Sequence, residues 1–397
     1  MFISRRNLSI CSVLFFIYFT LYLIVSVLLT RYVASAHNLP TVRASVNVVI
    51  ALSLLLGGLI FRKVNKVHLI YASSIAISIS SLLLFFASNE SLRIILNLAI
   101  GSFFGVGILA SITWFWNVTA PEERGRAAGI IGFVGLLFYF VVFYGIAVNF
   151  DFFYTIIIII VLSLGTIITI SLKSAKLMQS AKNDDAYKYS EKRTVLLYLL
   201  PWVVFSLINT TLANVTSSDV SQLVSQSSVV VLSGFQVLGV IFGAIVGGAV
   251  ADFFGRRLCL ALSLTLYGAS VALIGLIQNY QAFSLAYSIN GLGWGILLVL
   301  YTFVVWGDLA NKENCAKMYS LGLATYFGSF ALTPLLPQAP QIPLVISALT
   351  SCMLIFLSNI PIILAPELFR PDLREKLRMR SYMKTVKKVA KESENQG

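Results

Sequence analysis

Apolar residues in this chain come in long, almost unbroken runs, separated by short polar segments at near-regular intervals. Twelve runs of about 20 residues can be drawn, near 8–30, 40–61, 67–87, 93–116, 127–148 and 152–172, then 194–213, 229–251, 258–277, 282–306, 318–336 and 342–364. A helix of about 20 apolar residues crosses a bilayer core of about 30 Å, so each run predicts one spanning helix. The β-branched run at 156–161 would favour a strand in water. In lipid every backbone group must be bonded internally, which makes helix the open-chain solution there. Arg5 and Arg6, the following apolar run and Ala34-Ser35-Ala36 imitate a secretory leader. The apolar run is longer than the roughly 7–15 residues of such a leader, so it is expected to stay as the first spanning helix.

Composition strengthens this picture. The chain is 58% hydrophobic and 11% charged, against about 25% charged in soluble domains. Four scattered Cys and two His offer no metal-ligand spacing and no disulfide framework. No Gly-Lys dipeptide is present, so a phosphate-binding G-x-x-x-x-G-K-[ST] loop is excluded. Asp and Glu fall in loops or at helix ends, leaving no evident relay of buried carboxylates. We therefore expect no catalytic residues, no metal and no cofactor, and the chain does not read as an enzyme.

The net charge of +13 first suggests nucleic acid, but its placement points elsewhere. With twelve crossings both termini share one side, and all but three of the 29 Lys and Arg fall there; the exceptions are Arg31, Arg43 and Arg93. The positive-inside rule then predicts a multi-pass protein of the cytoplasmic membrane with both termini in the cytoplasm, and no nucleic-acid partner. The basic tail, 367–397, has apolar residues near helical spacing and is a candidate surface for anionic lipids.

The chain also repeats itself. At a fixed shift of 190 residues, Gly57 and Gly58 fall on Gly247 and Gly248, Gly101 on Gly291, Gly105 on Gly295, Trp116 on Trp306 and Gly132 on Gly322. The polar stretch 173–193 then links two six-helix halves, 1–172 and 194–366. Six is even, so the halves run parallel about an axis along the membrane normal. Two local motifs sit on this frame: GAVADFFGRR at 248–257, of the form G-x-x-x-D-x-x-G-R-R, and PEERGRAAG at 121–129. With the repeat, they resemble the major facilitator superfamily of transporters over nearly the whole chain. The first-half copy departs from the family pattern, with Arg62 in place of Asp and Asn65 in place of Gly, and Gly101 stands where many proton-coupled members carry Arg.

The resemblance implies an all-α membrane fold of two pseudo-symmetric six-helix bundles working as a monomer. It implies a secondary or facilitative carrier that moves a small neutral or amphiphilic organic solute, sugar-like or another metabolite, by alternating access. A non-transporting sensor on the same fold is the alternative. Family helices one, four, seven and ten, with five, eight and eleven, line the path. The polar and aromatic cavity candidates on them are Tyr18, Tyr22, Tyr139, Asn209, Gln236, Asn290, Trp294 and Tyr326. A gate is expected at the cytoplasmic edge. Asp252, with Gly248, Gly255, Arg256 and Arg257, should face the start of helix five at Arg124 and Arg126, and Arg62 should face Glu313. If exposed, each such pair contributes only about 0–1 kcal/mol.

Overall fold

A computed structural model describes residues 5–25, 39–61, 64–146, 152–171, 192–223, 225–332 and 343–368. Among these, every long element is a helix. The first six are α1 (Arg5–Leu23), α2 (Leu39–Ile60), α3 (Lys66–Phe86), α4 (Glu90–Val118), α5 (Arg124–Ile146) and α6 (Phe152–Ser171). The next are α7 (Lys192–Leu223), α8 (Gln226–Phe254) and α9 (Arg256–Leu276). Helix α10 runs from Tyr280 to Val299, through a π-helical turn at Leu300–Val304, to Leu309; α11 (Cys315–Ser329) and α12 (Leu344–Leu364) complete the set. Nine of these are long and apolar enough to cross a membrane among the described residues.

Helix starts follow short-range chemistry. Asn65, Asn89, Ser225 and Asn279 each accept a backbone N–H of the first turn, starting α3, α4, α8 and α10. Such caps satisfy donors that have no partner inside the helix. Side chains as large as Leu59 and Phe86 stay exposed, 69% and 73% respectively. An outer surface that apolar suits lipid rather than water.

The packing obeys the repeat. Within the first half α2 packs on α4, α3 on α4 and α6, and α1 on α5 and α6. Adding six to each label yields the contacts of the second half: α8 on α10, α9 on α10 and α12, and α7 on α11 and α12. The halves meet along two seams related the same way, α5 with α8 and α11 with α2. These two seams are the largest contacts between the halves.

One expected boundary changes. The tenth helix reaches Leu309, not 306, passing through the π turn on the way. Asp308 lies at a helix end as expected, but there it is buried. The linker at 173–191, Arg62 and the tail beyond 368 lie outside the described residues.

Candidate functional site

At one end of the bundle, five charged side chains from four helices converge. Asp252 closes α8, where the helix's carbonyl end repels an anion. It is only 2% exposed, yet it is well supplied with donors. The N–H groups of Gly125 and Arg126, in the first turn of α5, donate to it at 3.1 and 2.8 Å. A helix N-terminus is a natural anion site, so the start of α5 offsets the unfavourable end of α8. Arg126 Nε adds a bond at 3.2 Å from a position 38% exposed.

Arg256, fully buried at the start of α9, joins the second carboxylate to the first. Its Nη1 donates to Asp252 at 2.6 Å and its Nε to Asp308 at 3.1 Å. Its remaining donors reach the carbonyls of Ala251 at 2.6 Å and Pro121 at 2.9 Å. Asp308, from the far end of α10, is also paired with Arg124 of α5. The Arg124 guanidinium lies 5.9 Å over the ring of Trp116, whose Nε1 donates to the Gly307 carbonyl at 2.8 Å. The order is therefore Arg126, Asp252, Arg256, Asp308, Arg124, alternating in sign and crossing between halves more than once. Removing one member of such a buried network costs about 3–5 kcal/mol, because the other is left charged and unpaired. That exceeds what an exposed pair supplies.

The glycines of the motif have separate tasks. Gly248 faces the backbone of α5, and a Cβ there would come within 2.7 Å of Gly129 Cα and closer still to the Gly125 carbonyl. Gly255, at φ +110°, makes the sharp joint between α8 and α9 that L residues rarely adopt. Beyond that joint the Glu367 carboxylate accepts the N–H groups of Arg256 at 2.8 Å and Arg257 at 3.2 Å. Arg257 is exposed and bonds the Ala365 carbonyl at 3.2 Å, away from the charge network. Glu313 is exposed at the start of α11, and its expected partner Arg62 lies outside the described residues.

Further into the bundle, between the halves, lies a cavity of ≈ 810 Å³, counted with its opening. Tyr22, Trp294 and Tyr326 line it, joined by Trp202, Phe104, Phe327 and Thr302, which sequence reasoning had not singled out. Trp202 was legible in principle, as a Trp beside Pro201 inside an apolar run. It is stacked on Tyr301 at 4.4 Å and on Tyr326 at 5.6 Å.

The other candidates are elsewhere. Tyr18 is fully buried against Phe104, at 5.9 Å between rings. The amides mostly satisfy one another and their neighbours. Gln236 Nε2 donates to Asn290 Oδ1 at 2.9 Å, and Asn290 Nδ2 to Ser270 Oγ at 3.0 Å. Asn209 Oδ1 accepts the Tyr267 hydroxyl at 3.0 Å. In each case an amide in an apolar setting has taken a partner within its own half, as its desolvation demands. The Tyr139 side chain lies outside the described residues.

Known proteins share this arrangement of helices. A family model described as sugar (and other) transporter matches residues 166–331. Multidrug resistance protein 3 of Bacillus subtilis (strain 168) is 27% identical over 177 residues, covering 45% of this chain and 33% of that protein. The match thus spans about a third of that relative's length. Among solved structures, FucP, a major facilitator superfamily transporter in the outward conformation, superposes with a TM-score of 0.70 at 10% identity, covering 91% of this chain and 100% of that one. The human organic anion transporter MFSD10 gives 0.68 at 13% identity, over 90% and 99% of the two chains. The proton:xylose symporter XylE, bound to 6-bromo-6-deoxy-D-glucose, gives 0.68 at 13%, over 94% and 98%. At these identities the likeness is one of fold.

Proposed function

We propose that this chain, which has the fold of the major facilitator superfamily, is a transporter moving a small neutral or amphiphilic organic solute across the cytoplasmic membrane by alternating access. The observation that carries the reading is a cavity shared by both halves, with a buried charge network joining those halves at one end only among the described residues. In alternating access two halves rock about a central site, and each end opens in turn. The network then serves as the gate on its side, and the positive-inside rule assigns that side to the cytoplasm. Residues 1–172 and 194–366 move as units, and the carrier acts as a monomer. The basic tail beyond 366 lies along anionic headgroups.

The relatives support transport in outline. They include a multidrug resistance protein, a proton:xylose symporter and an organic anion transporter. These names disagree about the solute, so the solute has to come from this chain's own cavity. The test is uptake by the full chain in sealed proteoliposomes across a solute panel, with and without an imposed pH gradient. Saturable, protein-dependent flux of any member supports the reading. Solute binding without flux of any member overturns it.

A further inference from the structure

We infer that the solute taken by the central cavity is a neutral, largely apolar molecule built on an aromatic ring, rather than a polyol or a charged metabolite. This rests on reading the cavity as the solute path. Of the fourteen side chains that line it, seven are aromatic, six are aliphatic and the last is Thr302. Among the described lining residues there is no carboxylate, guanidinium, ammonium or imidazole. A charged solute would leave water with no counter-charge to meet it, a loss that buried ions cannot absorb.

Of the polar groups at the wall, two are committed and Trp294 Nε1 has no partner among the described residues. That single donor could meet one acceptor on a solute but not the many hydroxyls of a polyol. Trp202 Nε1 donates to the Gly322 carbonyl at 2.7 Å, and the Tyr22 hydroxyl to Asn47 Oδ1 at 3.2 Å. The amides that might have read a sugar are bonded elsewhere: Gln236 with Asn290, and Asn209 with Tyr267. A monosaccharide needs partners for several hydroxyls at once, and each one left unsatisfied weakens binding by roughly 10-fold or more. An aromatic solute makes no such demand.

The wall already packs ring on ring, so a further ring is a compatible neighbour. Trp202 and Tyr326 lie 19° from parallel, and Tyr22 meets Phe327 edge-on at 5.1 Å. Aromatic pairs favour such offset-stacked and edge-to-face geometries. Tyr22 and Phe104 come from the first half, and Trp202, Trp294, Tyr326 and Phe327 from the second. A bound ring therefore touches both halves, and its contacts change when they separate. Such differential contact is what lets a solute shift a two-state equilibrium.

The test compares three probes on the full chain in lipid nanodiscs, with empty nanodiscs as the partition control. Coumarin is neutral and aromatic, D-glucose is a polyol, and benzoate is an aromatic anion. Tryptophan quenching and calorimetry are expected to give saturable coumarin binding at least about 10-fold tighter than either of the others. Filling the cavity with Leu136→Phe or Leu323→Phe should weaken coumarin by about 10-fold or more. The wild-type comparison decides the matter even where a variant does not fold. Glucose or benzoate binding as tightly as coumarin overturns the inference, and so does coumarin that fails to saturate. Flux in proteoliposomes is scored separately. Transport of glucose without coumarin binding sinks this inference and leaves the transport reading standing. Coumarin binding with no flux of any solute does the reverse.

Discussion

Where α8 meets α5, Gly248 lies against the backbone of Gly125 and Gly129, and the buried pair Asp252 and Arg256 sits one turn further along. Where α2 meets α11, the equivalent seam under the 190-residue shift, Gly58 lies instead against the Ser320 side chain. The joints beyond differ in the same way. Asn65 accepts the Val67 N–H at 3.0 Å and caps α3 by itself. Gly255 has no side chain to cap α9, and a carboxylate from beyond α12, Glu367, takes that role. One topology thus yields two kinds of seam. The first is set by backbone contact and buried charge, so it tolerates little adjustment. The second is set largely by one small side chain, so a substitution at Ser320 can loosen it.

The sharpest way to break this contrast is Asp308→Ala, which strips the carboxylate that both Arg124 and Arg256 share. Destabilisation of about 3–5 kcal/mol is expected, read as a fall in thermal midpoint in detergent and a rise in thiol labelling at the charged end. Little change in either would mean that the network contributes nothing to closing that end. Exchanging charges between Asp252 and Arg126 should not rescue the single Asp252→Arg change. Arg256 and two backbone N–H donors would still face the new cation.

Next in size is a matched pair of glycine changes. Gly248→Ala drives a methyl into backbone and should cost about 1–3 kcal/mol. Gly58→Ala meets mainly Ser320 Cβ, 2.7 Å away, and its hydroxyl, and should be relieved by Ser320→Gly and much less by Ser320→Ala, which keeps the Cβ. Equal losses for the two glycines, with no relief, would erase the distinction between the seams.

Smaller again are the joints. Gly255→Ala forces φ +110° on an L residue and brings its Cβ within 2.7 Å of Glu367. A loss of about 1–3 kcal/mol follows, against about 1 kcal/mol for Asn65→Ala, a lost cap. The smallest effect belongs to Glu367→Gln. It removes a charge from the start of α9 while keeping an acceptor, for about 0.3–1 kcal/mol. A Glu367→Gln loss as large as that of Asp308→Ala would place the capping carboxylate, not the bridging one, at the centre of the charged end.

Much of the architecture was legible because a bilayer forces it. Twelve apolar runs and one 190-residue register were enough to expect two parallel halves, and the helix packing maps onto itself under that shift. The Asp252 motif was legible because an acid at the carbonyl end of a helix needs a partner elsewhere. Asp308 was not, because its partners Arg124 and Arg256 come from distant helices, α5 and α9, and no local motif around it points to them. Amides misled for a related reason. An isolated Asn or Gln in an apolar run asks for a hydrogen bond, but the sequence does not say whether a solute or a neighbour provides it. Gln236 and Asn290 supply each other.

The π turn at Leu300–Val304 has a consequence of its own. Thr302 within it touches the cavity, and Asp308, six residues on, holds the two arginines. Its Phe303 carbonyl accepts the Tyr319 hydroxyl at 2.7 Å, pinning it to α11. An α-helix advances about 100° per residue, and a π turn holds one residue more than the turn it replaces. If that residue were absorbed or moved along, the Asp308 end of α10 would swing through about a quarter of a revolution relative to the cavity end. Filling of the cavity and release of the charges would then be linked as the two ends of a shaft are linked, through angular phase instead of distance.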